Sequence, residues 1–264
     1  MNIFKITSPL ADVSGRKINN SGEKLSWHSV PLSNDGSRAK VFDDIKLKQP
    51  LLGDIFVCMS KQADEYVNDR FVIEIKNKLG KVFGKEILDI KESNKNISGY
   101  FMNVSPEYRR KSFRMGELMR LASIMELLEN NGNEIRIYSK DTAIYFHSKY
   151  KFKPAIIQFE NRTKCLQSVA SDKSKGFESL AHRAKALLAQ IESAGKTYAE
   201  QVKLSQTANQ IIKDYIDLAL KTDKPEKMHP FNWGMDMVLT KEDILENKDF
   251  FNELFKKHGI DYSI

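Results

Sequence analysis

The first regular signal along the chain is a series of short apolar-rich runs. They cover 54–59, 70–75, 81–90 and 97–104, and each has the β-branched and aromatic character of a strand. The connections between them suit hairpins, so the four runs predict a sheet entered mostly by hairpin turns. The period then changes. Apolar residues at Met115, Leu118, Met119, Ala122, Met125 and Leu128 step by three and four, which predicts a long helix with one buried stripe, stopped by Asn130-Asn131-Gly132. A strand over 134–138 follows. A short helix comes next, started by Ser139 or Asp141 and carrying Ala143, Ile144, Phe146 and Tyr150, and then a strand over 152–157. The order β, α, β, α, β implies an α/β layer with crossovers.

Two further stretches depart from this layout. Residues 1–50 are rich in Ser, Asn, Gly and charge, with turn dipeptides and no sustained period, and read as an irregular extension. Residues 176–222 carry two helical stripes, Phe177, Leu180, Ala184 and Leu187 in the first and Tyr198, Val202, Ile212 and Tyr215 in the second. Gly195 lies between them, so an αα-hairpin is predicted. Residues 233–239 read as a last strand, and Thr240 with Asp243 forms a near capping box before a helix with Phe250, Phe251, Leu254 and Phe255. The predicted organisation is an extension over 1–50, a core over 51–164, a helical insertion over 165–228, and a strand and helix over 229–264 that complete the core.

With 264 residues and 41% hydrophobic content, the chain can bury a substantial core. No apolar run approaches the roughly 20 residues of a membrane span, and Met1-Asn2-Ile3-Phe4-Lys5 lacks the pattern of a signal peptide, so a soluble, cytoplasmic protein is expected. Cys58 and Cys165 are far apart with no spaced Cys/His set around them, which excludes a zinc ribbon or disulfide framework and suits a reducing compartment. His28, His182, His229 and His258 are isolated, and no metal is expected. The net charge of +7 attracts nucleic acid, anionic lipid or phosphorylated small molecules alike.

The chemistry concentrates in residues 104–116, Val-Ser-Pro-Glu-Tyr-Arg-Arg-Lys-Ser-Phe-Arg-Met-Gly, which leave a strand and open a helix. Backbone N–H groups converge at such a turn, the helix start adds partial positive charge, and the basic side chains between Arg109 and Arg114 strengthen the field, so the site suits a pyrophosphate. About thirty residues on stands Ala143-Ile144-Tyr145-Phe146-His147-Ser148-Lys149-Tyr150-Lys151-Phe152-Lys153-Pro154.

Both segments, in this order, resemble the GNAT N-acetyltransferase superfamily over roughly 51–160 and 230–240. In that family a loop of the form Arg/Gln-x-x-Gly-x-Gly/Ala binds the pyrophosphate of acetyl-CoA, and a second motif has the form Ala-Ile-x-Phe-Tyr-Glu-Lys-x-Gly-Phe-x-Pro. The resemblance implies a GNAT-like mixed central sheet flanked by helices, here with an inserted helical hairpin. It also implies acetyl-CoA as co-substrate, with cofactor contacts from Met102, Val104, Arg109, Arg110, Lys111, Ser112, Phe113 and Arg114. Ser112 and Arg114 replace the two small residues of the loop. A side chain at 114 either swings outward onto a phosphate or fills the site. In the second motif His147 stands where many members carry the tyrosine that protonates the departing thiolate, and Lys151 replaces Gly. Histidine can donate a proton near neutral pH. Tyr145, on another face of the helix, is the other candidate acid.

The implied reaction is direct attack of an amine on the acetyl carbonyl, polarised by a backbone N–H near 101–103. Glu134, Asp141 and Glu86 are candidate bases, although each reads first as a solvated surface charge. The acceptor is left open among a protein, a tRNA-linked aminoacyl group and a small molecule. Residues 53–70 and the helical insertion are expected to select it. Two alternatives stand beside this reading. One is a degenerate GNAT fold that binds protein or nucleic acid without CoA. The other is an acetyltransferase effector secreted into a host cell, for which the Ser/Asn-rich start would be the address.

Overall fold

The computed structural model describes residues 17–18, 39–40, 45–49, 51–62, 69–91, 96–109, 113–193 and 197–264. Most of the expected N-terminal extension lies outside them, as do Arg110, Lys111, Ser112 and Gly195. The fold is α/β, a mixed sheet flanked by helices. The chain divides into two compact units, residues 1–135 with 240–264, and residues 136–239.

In the first unit, β1 (Ile45–Gln49), β2 (Gly53–Gln62), β3 (Asp69–Asn77), β4 (Val82–Ile90) and β5 (Ile97–Val104) pair in sequence order, each antiparallel to the next. The predicted strands are all present. β1 adds one inside the stretch that reads as irregular, because its Lys-x-Lys pattern hides a ladder running from Gln49↔Gly53 to Ile45↔Val57. The ladder between β4 and β5 slips between Ile87 and Leu88, so that Tyr100 becomes an extra residue and β5 bends before it reaches the turn.

Helix α1 (Met115–Glu129) follows, and its interior is Ala, Leu, Met and Glu, strong helix formers. It ends on Asn131 in the left-handed conformation (φ 54°), with Gly132 N donating to Leu127 O. The single stripe expected for this helix is wrong in extent, since every residue from Leu118 to Leu127 is buried. Its apolar side packs on β2 to β5, while Arg120, Ser123 and Glu126 are buried as well.

β6 (Glu134–Ser139) carries the chain into the second unit, which holds a 3-10 turn at 141–143, α2 (Ile144–Lys149) and β7 (Lys153–Pro154). The strand predicted over 152–157 is thus reduced to two residues. Pro154 has no N–H to extend the ladder. A helix that the sequence pattern does not predict, α3 (Phe159–Ser171), comes next. Its inward stripe of Cys165, Leu166 and Val169 is interrupted by Arg162, which conceals the period.

Helices α4 (Glu178–Glu192) and α5 (Tyr198–Ala219) are the two arms of the predicted hairpin, and both pack against α3. A reciprocal capping box between Thr197 and Glu200 starts α5. The first turns of that helix depart from expectation, because Tyr198 and Val202 are exposed while Ile212, Tyr215 and Ile216 are buried. β8 (Met235–Thr240) alternates buried and half-buried residues and pairs antiparallel with β7. Just before it, a side chain at Gly234 would lie 2.5 Å from Ser139 O, so only glycine fits the close approach.

The chain returns to the first unit through α6 (Lys241–Glu246) and α7 (Lys248–Lys257). The near capping box is real, with Thr240 Oγ1 accepting from Asp243 N and Thr240 N donating to Asp243 Oδ2. The single C-terminal helix expected there is broken at Asn247. Phe251, Leu254 and Phe255 bury the inner face of α7, and Lys257 and His258 both meet Glu117 in the first turn of α1. No helix among the described residues is long and apolar enough to cross a membrane.

Candidate functional site

Strand β5 carries Met102 and Val104 into a single 3-10 turn, Pro106–Tyr108, after which the chain reaches the start of α1. Pro106 suits the first position of that turn because its missing N–H would have no partner there. Aromatic packing fixes the path. Tyr108 lies edge-on between Phe83 at 4.7 Å and Phe113 at 5.5 Å, with Lys81 Nζ 5.1 Å from its ring centre.

Arg109 is exposed but not loose, since its Nε donates to Val104 O (2.8 Å) and its Nη2 to Asn103 Oδ1 (3.0 Å). The guanidinium therefore ties the strand end to the turn. Arg114 adopts φ 53°, ψ 26°, a left-handed conformation that costs a side-chain-bearing residue about 1–2 kcal/mol. It is the residue before the helix, and its own side chain makes no capping hydrogen bond to the N–H groups that follow. Those donors and the helix dipole point out of the end of α1.

Beneath this turn lies an ion pair. Glu86, opposite Met102 in the ladder, is fully buried, and Arg120 Nη2 donates to its Oε1 at 2.5 Å. Ser123 Oγ approaches the other carboxylate oxygen (3.4 Å), and Met102 Sδ lies 3.7 Å from Arg120 Nη2. Burial pushes the Glu86 carboxyl up to about 7, against the opposing pull of Arg120 and Ser123. The surface reading of Glu86 is thereby overturned. It shares the inward phase of Leu88 and Ile90 in β4, which is the sequence signal that identifies it as buried.

The second motif lies within the other unit, on α2 and the turn into β7. His147 is 6% exposed and packs edge-on against Phe146 (5.0 Å) and Phe152 (5.8 Å), while its carbonyl accepts from Tyr150 N and Phe152 N. Lys151, in the position of the motif's glycine, has φ 68°. Tyr145 is 2% exposed, and its hydroxyl donates to His229 O at 2.5 Å. Burial raises the Tyr145 phenol well above the ordinary tyrosine value.

The carbonyl that receives Tyr145 belongs to a buried cluster. His229 Nδ1 lies 2.8 Å from Asp172 Oδ2, Tyr215 donates to the same oxygen (2.7 Å), and the Phe177 ring stacks on His229 at 4.2 Å. Burial pushes the Asp172 carboxyl upward, but hydrogen bonds from Ser174, Tyr215 and His229 outweigh it and bring the group down to about 2. His229, isolated by sequence spacing, is thus a member of a network. Its partners come from α3, α5 and the start of α4, 14 to 57 residues away, so no local spacing could reveal them.

The expected site residues thus form two groups. Met102, Val104, Arg109, Phe113 and Arg114 line one turn, and Tyr145 and His147 share one short helix. Asn103 and Tyr108 hold the first turn in shape, a supporting role that sequence reasoning missed.

No protein-family model matches the chain, and no curated protein matches it by sequence. Solved structures similar to parts of it include a tandem GNAT protein from the clavulanic acid biosynthesis pathway, at 11% identity and TM-score 0.31 over 34% of this chain and 30% of that one. Spermidine/spermine N-acetyltransferase SpeG from Vibrio cholerae is similar over 36% of this chain and 58% of its own, at 18% identity and TM-score 0.29. Nourseothricin acetyltransferase is similar over 46% and 74%, at 15% identity and TM-score 0.29. The chain therefore spans less than a third of the first of these proteins and under two thirds of the second.

Proposed function

We propose that the chain is an acetyl-CoA-dependent N-acetyltransferase of the GNAT type, acting on an amine. The observation that carries this reading is the backbone at Arg114. A residue with a full side chain holds the left-handed conformation where the family pattern has a small residue, directly before a helix start that its side chain does not cap. A position that keeps this geometry at a cost of about 1–2 kcal/mol is explained by what the turn must hold, namely a pyrophosphate on the N–H groups of α1. The same substitution at Lys151 in the second motif supports the alignment.

In this reading Met102 and Val104 border the acyl-carrying arm, Arg109 braces the turn, and Arg110, Lys111, Ser112, Phe113 and Arg114 surround the phosphates. The amine nitrogen bonds to the acetyl carbon as the C–S bond breaks. The amine gives its proton to a base or water, and the thiolate takes one from water or a general acid. Tyr145, its hydroxyl already donated to His229 O, supports the helix. Glu86 is enclosed with Arg120 and is not the base.

The test is thermal unfolding with acetyl-CoA. Ligand at about 100 times its dissociation constant adds roughly 2.7 kcal/mol, a rise of several degrees, and AMP should do less. Loss of turnover in His147→Phe, with CoA affinity and melting temperature kept, would assign the thiolate's proton to His147. Two observations favour a second reading, a GNAT-like binding module without CoA: the guanidinium of Arg109 already donates to Val104 O and Asn103 Oδ1, and His147 is buried. No shift at millimolar acetyl-CoA would select it.

A further inference from the structure

The antiparallel ladders of the first unit bring three turns to one end of the sheet: the approach to β2, the link from β3 to β4, and the turn that follows β5. The three are neighbours. Ile55↔Asn77 is the last pair between β2 and β3, Ser105 N donates to Phe83 O, and Lys81 Nζ lies 3.9 Å from Glu107.

The link from β3 to β4 is a built turn. Asn77 Oδ1 accepts from Leu79 N and from Lys81 N (3.0 Å each), Asn77 O accepts from Gly80 N, and Asn77 N donates to Lys81 O. With Gly80 at φ 82°, these bonds fix the apex as Lys78-Leu79-Gly80-Lys81. Leu79 is 85% exposed there, more than any other large apolar side chain among the described residues. Leu51, 63% exposed, stands at the neighbouring turn, and Val82, 37% exposed, begins β4.

A single exposed leucine is ordinary. Here the apolar side chains share one end of the sheet with charge mainly of one sign. Across the three turns the described charged residues are Lys76, Lys78, Lys81, Arg109 and Arg114, against Asp54 and Glu107. The combination selects the partner. A nucleic acid would answer the cations and leave the leucines in water. A bilayer with anionic headgroups answers both, because apolar side chains at a projecting apex can enter it while the cations around them stay at the phosphates.

We propose that this end of the sheet docks on an anionic phospholipid bilayer. Leu79 and Leu51 enter the headgroup region, and Lys78 and Lys81 meet the lipid phosphates. Leu51, Lys78 and Leu79 take no part in the acetyl-transfer reading, so the inference stands without it.

The test is co-sedimentation of the full-length protein with vesicles of phosphatidylcholine containing about one-third phosphatidylserine, beside vesicles of phosphatidylcholine alone. The anionic vesicles should bind at least about tenfold more tightly. Raising NaCl from about 0.1 to 0.5 M should weaken that binding by a similar factor, since the screening length shortens. Leu79→Ser should keep the wild-type melting temperature and lose about tenfold in binding, and Lys78→Glu should lose a similar amount. Cys58 and Cys165 are both buried, so a polarity-sensitive thiol label on Leu79→Cys reports from the apex. Its emission should shift to the blue on anionic vesicles. No binding to anionic vesicles, equal binding in Leu79→Ser, or a label that stays in water would each overturn the proposal, the last two in favour of adsorption by charge alone. A concentration-dependent dimer abolished by Leu79→Ser, with no vesicle binding, would overturn it in favour of a second copy of the chain.

Discussion

The two motif turns are built alike and supported in opposite ways. Each places a basic residue in a left-handed backbone position, Arg114 before α1 and Lys151 after α2, and each unit also holds a hydrogen-bonded carboxylate, the fully buried Glu86 in the first and the half-buried Asp172 in the second. In the first unit Glu86 has one strong partner, Arg120, and burial dominates its ionisation. In the second, Asp172 collects donors from Ser174, Tyr215 and His229, and these dominate instead. The side chains differ in the same sense. Arg109 and Arg114 are exposed, whereas Tyr145, His147, Tyr150 and Phe152 are all under 9% exposed. The first turn presents its arginines to solvent, and the second is a piece of core. A buried charge therefore gains or loses with folding according to how many hydrogen bonds meet it, not according to burial alone.

Removing one carboxylate should separate the two turns most sharply. Glu86→Leu removes the carboxylate that faces the buried Arg120 guanidinium and should cost about 3–5 kcal/mol in urea unfolding at pH 7, with Glu86→Gln much milder. A cost below about 1 kcal/mol for the leucine variant would mean that the pair is solvated.

The pH dependence should then divide by sign. Glu86 is raised from 4.5 to about 7, so the native state holds a proton that the unfolded state releases between these values. Its contribution to stability is fully present below pH 4.5 and is lost as pH rises through about 7, by about 3 kcal/mol at most. Asp172 is lowered from 3.8 to about 2, so its contribution is present above pH 3.8 and is lost as pH falls through about 2. Unfolding curves from pH 2 to 8 should lose the first slope in Glu86→Gln and the second in Asp172→Asn. Retention of either slope in its own variant would assign it to another group.

Smaller effects test the backbone. Arg114→Gly and Lys151→Gly should each stabilise by about 1 kcal/mol, since glycine removes the left-handed penalty but adds chain entropy to the unfolded state. Arg114→Gly should also retain CoA binding, measured by calorimetry, because it preserves the turn. Arg109→Ala should move stability least, by about 0.5 kcal/mol, as expected of an exposed side chain. It should nevertheless weaken CoA, because the brace between Val104 and the turn is lost. Unchanged affinity would remove Arg109 from the site.

Local pattern determined a large share of this molecule. The strands β2 to β5, the long α1 with its Asn-Gly stop, and the capping box at Thr240 all follow from period, turn chemistry and hydrogen-bonding side chains within a few residues of one another. The turn at 104–116 was legible for the same reason, since its strand, proline, basic cluster and helix start are contiguous. Tertiary structure decided what contiguity could not. Glu86 meets Arg120 from 34 residues away, and Asp172 meets His229 from 57. A side chain's burial is set by what the rest of the chain brings over it. For that reason the sequence could name the charged residues, and only the folded chain could show which of them had left water.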